Sequence, residues 1–252
     1  MPYICFKNVS FSYKKGKNKI DVFHDLNIDF LSNKINIILG QSGCGKTTLL
    51  KCIAGFNDYS GTILFDENDV RALSTQERNI GYMNQSFAMY PHMTLFDSIA
   101  FPLKVMGVGI NEIREKVYDI ATRFDIAELL SRKPKQVSIG QLQRAALARA
   151  IIKNPTICLF DEPLSNLDDT NRTNFRRFLK EYLSSTITTV VYVTHSLEEA
   201  TALGDYIHVM DNDGSFIFSG TSHELINSKD PKIMDLLSTI IKEEKWNEKC
   251  RL

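Results

Sequence analysis

Eight residues, Gly40-Gln41-Ser42-Gly43-Cys44-Gly45-Lys46-Thr47, carry the densest chemistry in the chain. They fit the pattern GxxxxGK[ST], in which glycines let backbone N–H groups close around phosphate oxygens. Lys46 is placed to reach the β- and γ-phosphates of a nucleotide, the amides of Gly43 to Thr48 to wrap them, and Thr47 to ligate Mg²⁺. Further on, the apolar run Cys158-Leu159-Phe160 ends in Asp161 and Glu162, a carboxylate pair suited to hold Mg²⁺ and to activate water. Two acids after a strand are weak evidence alone, because strands often turn on aspartate. Behind a phosphate loop, and followed by Pro163, the catalytic reading prevails. His195 follows another apolar run, Thr188 to Val193. A lone histidine is more often an ordinary core or surface residue, but strand ends in open α/β sheets gather on one edge, which brings it near Glu162. Ser138-Ile139-Gly140-Gln141 reads as a helix N-terminus with a capping serine and free amides that can face an anion.

These groups need a scaffold that delivers them to one edge. Ile35 to Leu39 is a buried strand running straight into the loop, and Thr47 to Ala54 is a helix stopped by Gly55. Before them, Ile4 to Phe30 alternates apolar and polar residues around a Lys14–Lys19 turn, the pattern of an antiparallel hairpin or small sheet. Asn111 can cap a helix whose apolar residues Ile113, Val117, Ile120, Ala121 and Phe124 recur at helical spacing. A further helix runs from Ser138 to about Asn154, where Pro155 ends it. Residues 86 to 154 thus read as a helical insertion in an α/β core. Strand–helix alternation then returns with Ile157–Phe160, Asp169–Leu183 and Thr188–Val193. Ser196 and Glu199 have the spacing of a capping box for the next helix. Asp213-Gly214 turns a final hairpin between Ile207–Asp211 and Phe216–Ser219, and Asp230 to Leu252 is a charged helical tail. The fold class is therefore α/β, a mainly parallel sheet with flanking helices, an N-terminal antiparallel β-subdomain and an inserted α-helical subdomain.

The 252 residues suffice for one large domain, and no repeat marks a fused pair of domains. Lys plus Arg and Asp plus Glu number 30 each, so the chain carries no electrostatic footprint for nucleic acid and no polybasic membrane anchor. No stretch reaches the roughly 18–20 apolar residues that cross a bilayer, and no signal peptide is visible, so a second protein must supply any span. The five cysteines form no CxxC pair or metal spacing, which fits a reducing cytosol.

Taken in order, the phosphate loop, Gln85, Ser138–Gln141, Cys158–Glu162 and His195 resemble the ATP-binding subunit of an ATP-binding cassette (ABC) transporter. The resemblance covers about residues 3 to 225. It implies an ATPase dependent on ATP and Mg²⁺, with Thr47, Gln85 and Asp161 on the metal, Glu162 and Gln85 at the water, and His195 at the γ-phosphate. Tyr13 matches the aromatic that stacks on adenine, with an ordinary strand tyrosine as the less favoured alternative. Ser138, Gly140 and Gln141 match the motif usually written LSGGQ, which meets ATP held by the opposite subunit. Val137 and Ile139 depart from that motif, and β-branched Ile139 resists positive φ, so a slower site is expected. Ser165-Asn166-Leu167-Asp168 matches the loop along the dimer seam. The family pattern implies a second ATP-binding subunit, most simply the same chain, and attachment to the cytoplasmic face of a membrane through permease subunits.

Arg78 to Tyr82 and Tyr90 to Leu103 resemble bacterial importer ATPases for sugars, polyamines and ferric iron. For an importer, an extracytoplasmic substrate-binding protein is a further partner. Phe87, Met89, Tyr90 and Phe96 form an apolar cluster, either core of the helical insertion or a groove for a permease helix, so Gln85 to Phe101 is the expected permease contact. Sugar-importer ATPases usually carry a further β-domain beyond the cassette, which this sequence does not show. Two rivals stand beside this reading. A cassette ATPase acting on nucleic acid or the ribosome generally has two cassettes or basic surfaces; a P-loop kinase or GTPase would lack Gln141 and the helix bearing Arg144.

Overall fold

The computed structural model describes residues 2–15, 18–164, 167 and 169–250. Its largest element is a six-stranded sheet, ordered β10-β9-β3-β8-β7-β6. The strands are β3 (Ile35–Gly40), β6 (Ile80–Met83), β7 (Ile157–Asp161), β8 (Thr189–Thr194), β9 (Tyr206–Met210) and β10 (Phe216–Gly220). All neighbours are parallel except the edge strand β10, which pairs antiparallel with β9. Every residue of β3, β7 and β8 is buried, as expected of parallel strands covered on both faces.

A second, antiparallel sheet is ordered β2-β1-β4-β5 and comprises β1 (Ile4–Lys15), β2 (Asn18–Phe30), β4 (Ser60–Phe65) and β5 (Asn68–Asp69). The expected N-terminal hairpin is β1 and β2. The 60–83 segment, in which the sequence patterns single out no strand, supplies β4 and β5 to this sheet and β6 to the other. Nothing longer than six residues forms there, and β6 is interrupted by Gly81, so neither periodicity nor length marks these strands.

Two apolar cores divide at the main sheet. On one side Ile38, Leu159 and Val193 join α1 (Lys46–Ala54) and the antiparallel sheet. On the other, Ile37, Leu39, Phe160 and Tyr192 join α2 (Leu95–Val105), α3 (Ile110–Arg123), α4 (Ile139–Ile151), α5 (Asp169–Ser184), α6 (Leu197–Leu203) and α8 (Pro231–Cys250). A short α7 (Ser222–Ile226) precedes α8. Adjacent residues of β3 thus feed opposite cores, which pins the strand's register against both layers.

Two expected caps differ. The helix carrying Ile113 starts at Ile110 after Gly109, with no side-chain cap, so Asn111 lies inside its first turn. Gly109 already has extended dihedrals and lets the chain enter the helix two residues earlier. At α6, Ser196 Oγ accepts the Glu199 N–H at 3.2 Å, but the Glu199 carboxylate does not return the bond to the Ser196 amide. Thr194 Oγ1 takes that amide instead, at 3.0 Å. The expected start of the 138–154 helix holds: Ser138 caps α4 and Gln141 closes a full capping box. No helix among the described residues is long and apolar enough to cross a membrane.

Candidate functional site

Strands β3, β8 and β7 are adjacent and parallel, with Leu39 opposite Thr194 and Asp161 opposite Val193. That register alone puts the loop after Gly40, the acids after Phe160 and the histidine after Thr194 on one sheet edge, where ligands of open α/β sheets bind.

The loop is built to keep donors free. Gly45 precedes α1 at φ 109°, a left-handed conformation closed to most side chains, and no side chain caps the helix. Gly40 is tight for a different reason: a Cβ there would sit 2.6 Å from the Met210 carbonyl oxygen. Lys46 is 5% exposed, and its Nζ donates to the carbonyl oxygens of Gly40 at 2.8 Å and Gln41 at 2.7 Å. The ammonium is thereby held over the loop before any anion arrives. Asn212 donates to Gln41 Oε1 at 2.8 Å and braces the loop from the β9–β10 turn. Cys44 is buried beneath, with its thiol pKa raised by burial; Ser42 and Gly43 stay exposed. Tyr13 Oη and Thr48 Oγ1 are 3.0 Å apart, which ties the half-exposed Tyr13 ring to the first turn of α1.

Thr47 Oγ1 donates to Asp161 Oδ1 at 2.9 Å. A hydroxyl and a carboxylate side by side are hard oxygen donors that suit a divalent cation such as Mg²⁺. Burial holds the Asp161 carboxyl above its ordinary range, which a bound cation would reverse. Gln85 reaches this region through its neighbour: its Nε2 donates to Glu162 Oε2 at 3.1 Å. The other Glu162 oxygen lies 3.2 Å from His195 Nδ1, an ion-pair distance whose angle is not that of a hydrogen bond. Burial pushes the Glu162 carboxyl up, but His195 and Lys46 pull it down further, leaving it below its ordinary value. Conversely, the adjacent carboxylate raises the His195 pKa despite burial. Glu162 is also a non-glycine residue at φ 47°, with its N–H donating to Val193 O at 3.0 Å. Strained backbone of this kind gathers at functional sites.

The N-terminus of α4 is finished differently. Ser138 Oγ accepts the Gln141 N–H at 3.3 Å and Gln141 Oε1 accepts the Ser138 N–H at 3.0 Å. Ile139 is the first residue of α4, 58% exposed, and is not among the positive-φ residues. The expected backbone conflict at Ile139 is therefore absent, because this position is ordinary helix. Gly140 packs near Leu167, whose Cδ2 would lie 3.4 Å from an added Cβ. Ser165, Asn166 and Asp168 lie outside the described residues.

Of the apolar cluster after Gln85, Phe87 and Met89 are buried core and Phe96 packs against it. Tyr90 instead lines an open groove of about 650 Å³ together with Tyr82, Phe101, Pro102, Val105 and Met106. Arg149 of α4 lines the same groove and was not singled out from the pattern alone. Its guanidinium donates to the carbonyls of Phe87 and Ala88 at 3.1 and 2.6 Å and lies 5.7 Å from the Tyr90 ring centre. Phe87 and Ala88 both have positive φ, a corner whose two carbonyls the Arg149 guanidinium satisfies. An arginine in the last turn of a predicted helix is too common a feature to reveal this.

Residues 23–165 match the family model described as ABC transporter. The chain is 39% identical over 226 residues to the ABC transporter ATP-binding protein YurJ of Bacillus subtilis, a match spanning 89% of this chain and 60% of YurJ. It is 40% identical over 199 residues to the sn-glycerol-3-phosphate import ATP-binding protein UgpC of Pectobacterium atrosepticum, spanning 79% of this chain and 56% of UgpC. The chain thus spans under two thirds of the length of these curated relatives. Among solved structures, the ATP-binding cassette MJ0796, captured as a dimer bound to ADP and Pi, superposes with a TM-score of 0.79 at 28% identity, covering 87% of this chain and 98% of MJ0796. With the loop, the acid pair and the histidine on one sheet edge, and with a family model matching more than half its length, the chain belongs to the ABC transporter family of ATP-binding cassettes.

Proposed function

We propose that this chain is the ATP-binding and ATP-hydrolysing subunit that powers solute transport, as import, by an ABC transporter. The observation that carries the reading is Glu162, held by Gln85 on one oxygen and by His195 on the other, beside the Thr47–Asp161 pair. The adenine stacks on Tyr13. Lys46 and the amides of Gly43 to Thr48 take the phosphates, with Gly40, Gln41, Ser42, Cys44 and Gly45 shaping the loop. Thr47 and Asp161, with Gln85, would hold Mg²⁺, which would supply charge neutralisation at the phosphates. Glu162, kept ionised below its ordinary pKa, accepts the proton of a water whose oxygen bonds to the γ-phosphorus. The bond to the β–γ bridging oxygen breaks, leaving ADP and phosphate, while His195 orients water and γ-phosphate.

A second cassette, taken as another copy of this chain, completes each site with Ser138, Gly140 and Gln141. Such a pair is isologous and contains two composite sites. We assign residues 1–225 to the ATPase unit, with the helical subdomain at about 86–154, and 226–252 to the tail. The groove beside Tyr90 and Phe101 receives a short helix of a permease subunit, which holds the chain at the cytoplasmic face of the membrane. An extracytoplasmic binding protein delivers solute to that permease. The name of UgpC supports import, and the solute is selected by the other subunits.

Phosphate release by the purified chain with ATP and Mg²⁺ tests the assignment. Glu162→Gln is expected to retain ATP binding and lose about 10²–10⁴-fold in turnover, the usual worth of a general base. Near-normal hydrolysis by that variant would remove Glu162 from the mechanism.

A further inference from the structure

Behind His195 lies a buried polar cluster that the proposed mechanism leaves unused. Tyr192, Thr194 and Glu199 are 0%, 2% and 4% exposed. Tyr192 Oη donates to Glu199 Oε2 at 2.9 Å, and Thr194 Oγ1 donates to the same oxygen at 2.8 Å. The Thr194 hydroxyl oxygen then accepts the Ser196 N–H at 3.0 Å. Both residues flanking His195 are therefore tied, directly or through one hydroxyl, to a single buried carboxylate.

The arrangement is more costly than the helix requires. A glutamate three residues after a capping serine ordinarily bonds that serine's amide from an exposed position. Here Thr194 occupies the amide, and the carboxylate turns inward, where burial raises its pKa. Capping alone does not explain a carboxylate buried to this depth. It does lie where it can fix the turn between β8 and α6, and that turn carries the imidazole.

We propose that Glu199, acting through Thr194, is a positioning residue for His195: it locks the Thr194–Ser196 turn so that the imidazole stays beside Glu162. This rests on the assignment of His195 to water and γ-phosphate made above. The charged groups around the pair come from four elements. Glu162 follows β7, Lys46 begins α1 and Glu199 is on α6, all acting on His195; Arg172 and Arg176 of α5 act on the far side, on Glu199 and Tyr192 respectively. Arg176 is itself engaged with Glu198 at 2.8 Å.

A purely structural role, pinning α6 to β8, makes a different prediction from a positioning role, and a double-mutant cycle separates them. ATP hydrolysis is measured under multiple and single turnover for Glu199→Ala, Glu199→Gln and Thr194→Val, each alone and combined with His195→Ala, with melting temperature and ATP affinity as controls. Positioning predicts that Glu199→Ala and Thr194→Val lower kcat about tenfold with the KM for ATP within about twofold. Glu199→Gln, whose amide oxygen still accepts both hydroxyl protons, loses less. In the His195→Ala background, Glu199→Ala and Thr194→Val cause no further loss, because the group they position is gone. Losses that multiply in the double variants, or a rise in KM at constant kcat, would overturn the proposal. If Glu199→Ala does not fold, Thr194→Val carries the same cycle, and wild-type kcat in that variant counts against the proposal. His195→Ala alone reports on the underlying reading: full activity there would sink the role of His195 itself, and with it this inference.

Discussion

The N-termini of α1 and α4 are the same kind of element end finished in opposite ways. At α1 the cap position is Gly45, no side chain occupies the first amides, and Lys46 is folded back over the loop. At α4 the cap is Ser138, Gln141 returns the bond, and the turn exposes apolar Ile139. A helix end by itself favours an anion by only about 0.3–1 kcal/mol. That is too little to hold a nucleotide, so α4 cannot be a binding site alone. The loop before α1 adds a buried lysine, a run of open amides and the Thr47–Asp161 pair. Under the proposed function, the first end would bind nucleotide within its own chain, and the second would meet nucleotide bound by a partner.

Removing the cation from the first end should have the largest effect on binding. Lys46→Ala deletes charge-assisted contacts worth about 1.5–3 kcal/mol each, so ATP affinity measured by calorimetry should fall about 10²-fold or more. An affinity within a few-fold of wild type would show that the open amides suffice and would erase the distinction drawn above. At the second end, Gly140→Ile places branched bulk beside Leu167 and in front of the amides. Hydrolysis should drop about 10²-fold, comparable to losing one preorganised donor, while fluorescent-nucleotide titration finds affinity nearly unchanged. Loss of affinity in step with activity would mean that α4 contacts nucleotide in its own chain. Ile139→Gly should have the smallest effect. It costs about 0.5–1 kcal/mol of helix propensity, lowers the melting temperature by about 1–4 °C, and keeps or raises the ATPase rate. A folded Ile139→Gly protein without activity would contradict the placement of this turn at the partner interface.

The contrast between the two ends was partly legible in the sequence. Glycines before a lysine at the end of an apolar strand, and a serine three residues before a glutamine, are local patterns that report local geometry. That Gly40, Glu162 and His195 share one sheet edge was expected from alternating strands and helices, whereas the order of the strands was not. What stayed hidden depends on contacts between distant segments. The short strands β4 and β6 exist because the sheets flank them, and at Gly81 a side chain would meet the Ala150 carbonyl oxygen at 2.4 Å. Arg149 reaches the Phe87–Ala88 corner from about sixty residues away in sequence. At Glu199 the local pattern was misleading, since the expected box to Ser196 gives way to Thr194 and Tyr192. A capping rule considers only four residues of chain, whereas here the preceding strand supplies a better acceptor for the amide.

Light scattering of the Glu162→Gln protein, at micromolar concentration with saturating ATP and then without nucleotide, tests the two-ended arrangement most directly. If α1 binds in its own chain and α4 closes on the partner's nucleotide, the slow-turnover variant converts from monomer to dimer with ATP, and adding Gly140→Ile abolishes that conversion while ATP stays bound. A protein that binds ATP fully and remains strictly monomeric would contradict it.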